Sequence, residues 1–327
     1  MPTIKDVARK AGVSVGTVSR VLANNETVKH PLKLKVQAAM KELDYKPNLA
    51  ARALRTNSID VIGLIVPDLT NPFFAQLAQN VEMEAAKRSH SVMVANSHDD
   101  AETEGTQISA LLDRAVRGII IVATAAGKNL KRADVPIISL DRRFGNYPLI
   151  ATDHYDGSQK IADHLHALGH RRIAYIAGPL SMDVAQSRRE GFVKRIEALS
   201  TPDDPIELTV HEGQFDYDAG EELGRTILAN ASANARPTAI AAASDQQAIG
   251  VLRCARDLKL DVPKDLSVAG FDDITLASLV VPRLTTLRQP IEALALAAVE
   301  QIFETMSASN DKAIAGEVVL RESTASP

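Results

Sequence analysis

At 327 residues the chain is longer than one compact core usually allows, so several folding units with buried interiors are expected. Hydrophobic residues make up 45% of the chain and charged residues 24%, which is ordinary for a globular protein and excludes a disordered or collagen-like chain. No run approaches the roughly 18 consecutive apolar residues of a membrane-spanning helix. The first residues resemble neither a signal peptide nor a lipidation site, so we expect no membrane contact and a cytoplasmic location. The single cysteine, Cys254, excludes an internal disulfide, and we predict no role for it beyond that of a small buried side chain.

The net charge of -4 is distributed unevenly along the chain. Residues 1–57 carry 11 Lys and Arg against 4 Asp and Glu, a balance of +7, whereas residues 58–327 carry 26 against 37, a balance of -11. A small basic domain can neutralise phosphates, and an acidic remainder is repelled by the same polyanion. Charge alone also allows the basic segment to be an ordinary solvated helix.

The first segment, residues 1–47, has the start and stop signals of three short helices. Thr3 can cap the first helix, with Asp6 as the acidic partner of a capping box. Ser14 can cap the second helix, and Pro31 suits the first helical position of the third. Apolar residues recur at spacings of three and four within each segment. The pattern predicts a compact domain of three helices.

The first two of these helices have the spacing of a helix-turn-helix motif. At the start of the second helix, Val15 and Gly16 would face base edges, and Arg20 is the one side chain suited to bidentate recognition of guanine. Hydroxyl groups that can contact phosphates or bases come from Ser14, Thr17 and Ser19. A three-helix bundle that binds protein remains the alternative. We predict a DNA-binding headpiece over residues 1–47.

The next segment, residues 48–58, combines a helix cap, Asn48, with strong helix formers and two arginines. A helix this short is marginal in water, so it is expected to order only against a partner such as DNA. Leu54, between Arg52 and Arg55, suits a wedge that opens a minor-groove step while the arginines hold the backbone. A plain linker is the alternative.

Residues 59–327 alternate short apolar runs with longer amphipathic ones, which is typical of repeated βα units. The predicted buried parallel strands span residues 61–66, 92–95, 118–122, 137–140, 173–177, 239–243 and 266–271. The predicted helices span residues 73–88, 102–115, 157–168, 184–199, 219–229, 246–258 and 291–306. The pattern restarts after Gly169, so we predict an α/β core of two lobes, each with an open parallel sheet, and a cleft between them.

Ten separated stretches carry a resemblance to a known family. They are Thr-Ile-Lys-Asp-Val-Ala at 3–8, Val-Ser-Val-Gly-Thr-Val-Ser-Arg-Val-Leu at 13–22, Leu-Asp-Tyr-Lys-Pro-Asn at 43–48, Ala-Arg-Ala-Leu-Arg at 51–55, Gly-Leu-Ile-Val-Pro-Asp at 63–68, Asn-Pro-Phe-Phe at 71–74, Leu-Gly-His-Arg-Arg-Ile-Ala at 168–174, Ser-Asp-Gln-Gln-Ala-Ile-Gly at 244–250, Gly-Phe-Asp-Asp at 270–273 and Pro-Arg-Leu-Thr-Thr-Leu-Arg-Gln at 282–289. Over essentially its full length the chain resembles the lactose/galactose repressor (LacI/GalR) family. The resemblance implies a homodimer on a near-palindromic operator, a hinge helix whose leucine, here Leu54, enters the minor groove, and an effector-controlled core shaped like a periplasmic sugar-binding protein. It also places Thr3, Tyr45, Asn48 and Ala51 among the DNA-binding residues.

In parallel α/β lobes, ligands bind beyond the carboxyl ends of the strands, so polar and aromatic residues just after the apolar runs are the candidates. The residues at this position are Asp68, Asn71, Phe73, Phe74, Thr124, Asp141, Ser244, Asp245 and Asp272. Of these we select Asp68, Phe73, Phe74, Thr124, Ser244 and Asp272 as effector-binding residues. Carboxylates, an arginine fork and aromatic rings together suit a hydroxyl-rich ligand, which adds Arg188 and Phe215. The family resemblance supports an effector-binding role for Asp68, Phe73, Arg188, Phe215, Ser244 and Asp272, and it extends this role to Asp156 and Gln289. Each carboxylate taken alone could instead cap a helix.

Other function classes lack their motifs. The segment Gly-Val-Ser-Val-Gly at 12–16 fits a nucleophile elbow, but no strand precedes it. His164, His166 and His170 do not share one helix face, so we predict no metal site, and no glycine-rich phosphate loop predicts a cofactor. A transport protein would need an export signal, and a sugar-processing enzyme would need convergent catalytic groups. We therefore predict a sequence-specific repressor, not an enzyme, whose affinity for double-stranded operator DNA is set by a sugar.

Overall fold

The computed structural model describes residues 2–22, 27–45, 59–124, 134–229, 236–304 and 311–327. The chain divides into two compact units, Met1–Ile59 and Asp60–Pro327. The predicted hinge at residues 48–58 lies outside the described residues. The predictions for Asn48, Ala51, Arg52, Leu54 and Arg55 therefore remain predictions from the sequence.

The first unit contains the three predicted helices: α1 (Ile4–Ala11), α2 (Val15–Leu22) and α3 (His30–Glu42). The predicted cap of α1 is confirmed, because Thr3 N donates to Asp6 Oδ2 at 2.9 Å. Ser14 Oγ accepts from Thr17 N at 3.1 Å at the start of α2, as expected for a helix cap.

The second unit contains two six-stranded sheets and seven further helices within the described residues. The strands are β1 (Val61–Val66), β2 (Ser91–Asn96), β3 (Ile119–Ile121), β4 (Ile137–Leu140), β5 (Leu149–Thr152), β6 (Arg172–Ala177), β7 (Glu207–Glu212), β8 (Ala239–Ala242), β9 (Ser267–Asp272), β10 (Thr285–Arg288), β11 (Lys312–Ile314) and β12 (Glu317–Val319). The helices are α4 (Pro72–Lys87), α5 (Ala101–Asp113), α6 (His154–Ala167), α7 (Asp183–Leu199), α8 (Tyr217–Ala229), α9 (Asp245–Asp257) and α10 (Ile291–Phe303).

Each sheet forms the centre of one lobe. Lobe 1 has the strand order β11-β5-β4-β3-β1-β2, and lobe 2 has the order β12-β10-β9-β8-β6-β7. The strand pairs are parallel except β10 with β12, which is antiparallel. The chain passes between the lobes after β5, after β10 and after β11. The prediction of two lobes with separate sheets is confirmed.

The sequence pattern mispredicted the burial of one strand and did not predict five other strands. β2 is the edge strand of lobe 1, and its Met93 and Val94 side chains are 37% and 41% exposed, so the predicted burial is wrong there. The missed strands are β5, β7, β10, β11 and β12, which are short or alternate in polarity. An edge strand is solvated on one side, and a short strand is defined by its hydrogen-bonded neighbours more than by its composition.

The interior of each lobe is apolar and close-packed. In lobe 1, Ile62, Leu64 and Leu77 of β1 and α4 are fully buried, and Leu294 of α10 packs against them. In lobe 2, Cys254 is buried in the cluster between α8 and α9, which confirms its assignment as a small interior side chain. Within the described ranges, no helix combines the length and apolar character needed to cross a membrane.

Candidate functional site

A small cavity of about 20 Å³ lies between the two lobes. Six of the predicted effector residues line it: Phe73, Phe74, Arg188, Phe215, Ser244 and Asp272. Four further residues complete the lining: Asn71, Asp141, Arg142 and Val184. The carboxyl ends of strands from both sheets therefore converge here, as expected for parallel α/β lobes.

Arg188 of α7 is the central cation of this cavity and is buried. Its Nη1 atom donates to the carbonyl oxygen of Ala243 at 2.6 Å and lies 3.1 Å from Oδ1 of Asp272. Its guanidinium carbon lies 3.9 Å from the ring centroid of Phe271, which allows a cation–π contact. These contacts hold the guanidinium plane in one orientation, so its remaining donors face a defined direction.

Asp272 connects the cavity to the second crossover between the lobes. Gln289 Nε2 donates to Asp272 Oδ1 at 2.7 Å, and Thr152 Oγ1 of lobe 1 donates to Gln289 Oε1 at 2.6 Å. Burial raises the pKa of Asp272 to about 6, although the charge of Arg188 acts in the opposite direction. Asp272 is therefore ionised at neutral pH and can accept hydrogen bonds from ligand hydroxyls.

Asp141 and His154 form a second buried polar pair beside Arg188. His154 Nε2 lies 3.2 Å from Asp141 Oδ1, and Arg188 Nε donates to His154 Nδ1 at 3.3 Å. Burial lowers the pKa of His154, and Arg188 lowers it further, so the imidazole is neutral. Burial alone would raise the pKa of Asp141, but His154, Arg188 and Arg142 bring it below its usual value.

Both cleft carboxylates sit on unusual backbone. Asp141 has φ 62° and Asp272 has φ 120°, in the region that L residues rarely adopt. Such conformations cost about 1–3 kcal/mol each and persist only where the surroundings enforce them. The two residues lie at the ends of β4 and β9, where both line the cavity between the lobes.

The aromatic residues of the site are placed by local geometry. Asn71 Oδ1 accepts from Phe73 N at 3.0 Å and so caps α4, which holds Phe73 and Phe74 on its first turn. On the other lobe, Phe215 lies directly over Gly178. A Cβ on that glycine would come within 2.1 Å of the ring, so only glycine allows this approach.

Of the four other predicted effector residues, two lie beside the cavity and two do not. Gln289 is buried one contact behind Asp272. Thr124 lines an adjoining cavity that also contains Arg142. The structure does not bring the remaining two to the main cavity: Asp68 accepts hydrogen bonds from Thr70, and Asp156 pairs with Lys160 at 2.7 Å along α6.

Sequence reasoning missed Arg142 and His154 as site residues. Arg142 follows directly on Asp141, at the end of a predicted strand, and this position was the available signal. His154 comes two residues after β5, which the pattern did not predict, so no strand end marked it.

The histidines at 164, 166 and 170 are held by separate partners. His164 Nε2 lies 2.9 Å from Thr324 Oγ1, and His170 Nδ1 lies 2.8 Å from Thr238 Oγ1. In the part of the chain that the structure describes, no three metal-ligating side chains come together.

The helix-turn-helix unit presents its predicted DNA-contacting residues on α2. Ser14, Val15, Gly16 and Arg20 are exposed, whereas Val18 between them is fully buried. Thr17 and Ser19 are half-buried on the same helix, and Thr3 is exposed ahead of α1. Tyr45, another predicted DNA-binding residue, packs partly against the apolar core of this unit.

Family comparisons match both parts of the chain. The lacI family of bacterial regulatory proteins matches residues 3–48, and the periplasmic binding protein-like domain matches residues 162–324. The ribose operon repressor of Halalkalibacterium halodurans is 35% identical over 295 residues, which cover 89% of this chain and 86% of that protein. The ribose operon repressor of Escherichia coli K12 is 33% identical over 317 residues, which cover 94% of each.

Solved structures agree with these matches. A Lac repressor dimer bound to operator and the anti-inducer ONPF matches with a TM-score of 0.81 at 30% identity and covers 99% of each chain. A LacI family transcriptional regulator from Enterococcus faecium with bound ribose matches with a TM-score of 0.71 at 28% identity, covering 82% of this chain and 99% of that one. Since relatives above 30% identity span nearly the whole chain, the chain belongs to the lacI family of bacterial regulatory proteins.

Proposed function

We propose that this chain is a homodimeric repressor of transcription whose operator affinity is set by a small sugar bound between the lobes. The observation that carries the proposal is the buried Arg188–Asp272 pair, which offers fixed donors and an ionised acceptor inside an aromatic-lined cavity. Several relatives are ribose operon repressors, and one structural neighbour holds ribose. A pentose is therefore the first ligand to test.

The chemistry of the cavity suits a neutral polyol. Asp272 can accept from hydroxyl groups, and Arg188 can donate to ring or hydroxyl oxygens. The rings of Phe73 and Phe215 offer apolar faces for the C–H side of a sugar ring. Charges of both signs balance locally, which favours a neutral ligand over a strongly charged one.

A ligand in this position would contact both lobes at once and would change the free energy of one lobe arrangement relative to another. The chain crosses between the lobes three times in the described structure, so any such rearrangement bends these crossovers together. Operator binding and ligand binding are then reciprocally coupled, because a ligand that weakens operator binding binds more weakly to the operator complex. We propose an inducing sugar as the first case to test.

The test begins with selection of operator sequences from random DNA by the purified full-length protein. The recovered duplex is then titrated at fixed salt with and without D-ribose, other pentoses, hexoses and nucleosides, since phosphate contacts make affinity depend strongly on salt. Recovery of a near-palindrome whose affinity changes at least tenfold with one sugar supports the proposal. Salt-sensitive binding without sequence preference would contradict the operator role, and a selected operator that no sugar affects would contradict the ligand role.

A further inference from the structure

His154 joins the two lobes at the side of the cavity. It is the first residue of α6 in lobe 2 and follows directly on the first crossover. Its two ring nitrogens face opposite lobes: Nδ1 lies 3.3 Å from Arg188 Nε of lobe 2, and Nε2 lies 3.2 Å from Asp141 Oδ1 of lobe 1. His154 and Asp141 are both at least nine-tenths buried, at 5% and 3% side-chain exposure.

These contacts allow only one tautomer of a neutral ring. The guanidinium Nε of Arg188 can only donate, so His154 Nδ1 must accept and carries no hydrogen. The ring hydrogen is therefore on Nε2, which faces the carboxylate of Asp141. Asp141 in turn stabilises this tautomer, because the alternative would place an acceptor against an acceptor on one side and a donor against a donor on the other.

The contact between Asp141 and His154 is close but poorly aligned. Within the described residues, neither Asp141 Oδ1 nor His154 Nε2 has a well-aligned hydrogen-bond partner. Buried polar atoms left in this state are costly, so a small lobe movement that aligned them would be favourable. The two atoms belong to opposite lobes, and their alignment therefore depends on how the lobes are closed.

We propose that His154 is a positioning residue that orients Arg188 for the sugar and, through Asp141, transmits sugar binding to the closure of the lobes. This inference rests on the function proposed above. It assigns the two ring nitrogens different tasks. The Nδ1 side sets ligand affinity through Arg188, and the Nε2 side sets the coupling between ligand and operator through Asp141.

Two substitutions separate these tasks. In His154→Asn the amide oxygen can occupy the place of Nδ1 and still accept from Arg188, but the shorter side chain has no atom that reaches Asp141. In His154→Gln the amide nitrogen can occupy the place of Nε2 and still donate to Asp141, but the acceptor for Arg188 is lost. His98→Asn is the matched control, since His98 is exposed on a loop of lobe 1 and has φ 54°, which asparagine tolerates.

Each full-length variant is titrated with D-ribose by calorimetry and with the selected operator in the absence and presence of D-ribose. We expect His154→Gln to weaken ribose binding about tenfold and His154→Asn to weaken it several-fold less. We expect His154→Asn and Asp141→Asn to reduce the ribose-induced change in operator affinity to a similar extent, with no further loss in the double variant. Operator affinity without ribose shows that each variant is folded.

A second measurement needs no ligand. Long-range proton–nitrogen correlation spectra of the full chain labelled with ¹⁵N-histidine report the tautomer of each ring, and the signal missing from His154→Asn identifies His154. We expect a bare Nδ1 and a protonated Nε2, with the tautomer mixture changed in Asp141→Asn. A protonated Nδ1, or Asn and Gln variants that bind and couple alike, would overturn the inference. If the wild-type protein does not bind D-ribose, the proposed pentose ligand is wrong. The tautomer measurement then still tests the role of His154.

Discussion

Arg188 Nη1 and Asp272 Oδ1 lie 3.1 Å apart in a buried ion pair within lobe 2. The two residues come from the middle of α7 and the end of β9, which are far apart in the chain. A single unpaired charge in the interior would be strongly destabilising, so each of the two residues compensates the buried charge of the other. The pair also presents a fixed donor and a fixed acceptor to the same cavity, which is what recognition of adjacent hydroxyl groups requires.

Arg188→Lys should remove the response to sugar while operator binding is kept. A lysine cannot reproduce the planar contacts with Ala243 and Asp272, because its ammonium is a compact point charge. We expect the affinity for the inducing sugar to fall roughly 10- to 100-fold, as for loss of about 1.5–3 kcal/mol of charged hydrogen bonding. Arg189→Lys, one residue along on the exposed side of α7, is the control and should bind sugar like the wild-type protein. Equal sugar affinity in both variants would contradict the assigned role of Arg188.

Sugar affinity should fall as the pH is lowered from 7 to 5. The pKa of Asp272 is raised from 3.8 to about 6, so lowering the pH protonates the acceptor, and at pH 5 roughly one molecule in 11 retains it. We expect about tenfold weaker binding at pH 5 by calorimetry. The contribution of Asp272 to folding stability changes with pH in the opposite direction to sugar affinity. It is fully present below pH 3.8 and is lost as the pH rises through 6, because the buried carboxylate is then charged.

Asp272→Asn is the control for this pH dependence. The variant should bind sugar weakly at pH 7, and its affinity should no longer change between pH 5 and 7. If the sugar affinity of Asp272→Asn changed with pH as much as that of the wild-type protein, the titration would belong to another group.

Gly178→Ala should disturb the proposed sugar site through Phe215. The added methyl group would come within 2.1 Å of the phenyl ring, so the ring must move away from its place in the cavity. We expect a loss of stability of about 1–3 kcal/mol in urea unfolding, together with weaker sugar binding. Gly105→Ala on α5 is the matched control, since nothing lies within 4 Å of its added Cβ. That substitution should be neutral or should stabilise the chain by up to about 1 kcal/mol.

Arg20→Lys should lower the affinity for the selected operator more than the affinity for random DNA. Arg20 is exposed on α2, and a lysine keeps the charge but cannot make the two-point contact with guanine that we predict for Arg20. We expect a loss of about 1–3 kcal/mol on the selected operator, with relaxed preference at one position of each half-site. Affinity for random duplex at the same salt should change little. An equal loss on both duplexes would indicate a phosphate contact instead.

The sequence predicted the headpiece well because its helices carry local signals. Thr3, Ser14 and Pro31 lie within a few residues of the helix starts that the structure shows, and the apolar spacing defines which side faces inward. Capping and amphipathic periodicity are short-range effects, so they can be seen in a linear sequence. The same reasoning predicted β1 and β4 with their observed bounds, since both are continuous buried runs.

The candidate site was only partly predictable, because its residues come together through long-range contacts. Asp68 and Asp272 occupy the same kind of position after a strand, yet Asp272 reaches the cavity, whereas Asp68 turns back to Thr70. His154 was missed because β5 is short and pairs on one side with β11, which comes from a distant part of the chain.

By itself the sequence determined the basic helix-turn-helix unit, the alternation of strands and helices, the two-lobed core and the family. Those properties depend on residue spacing and on side-chain chemistry over short distances. Only the tertiary structure decided which polar groups meet. The neighbours of Arg188 come from α6, β9 and the end of β8, and Asp141 faces them from the other lobe. The strand order and the three crossovers bring these groups together. Both depend on long-range contacts that bury the two apolar cores, and no local sequence pattern encodes them.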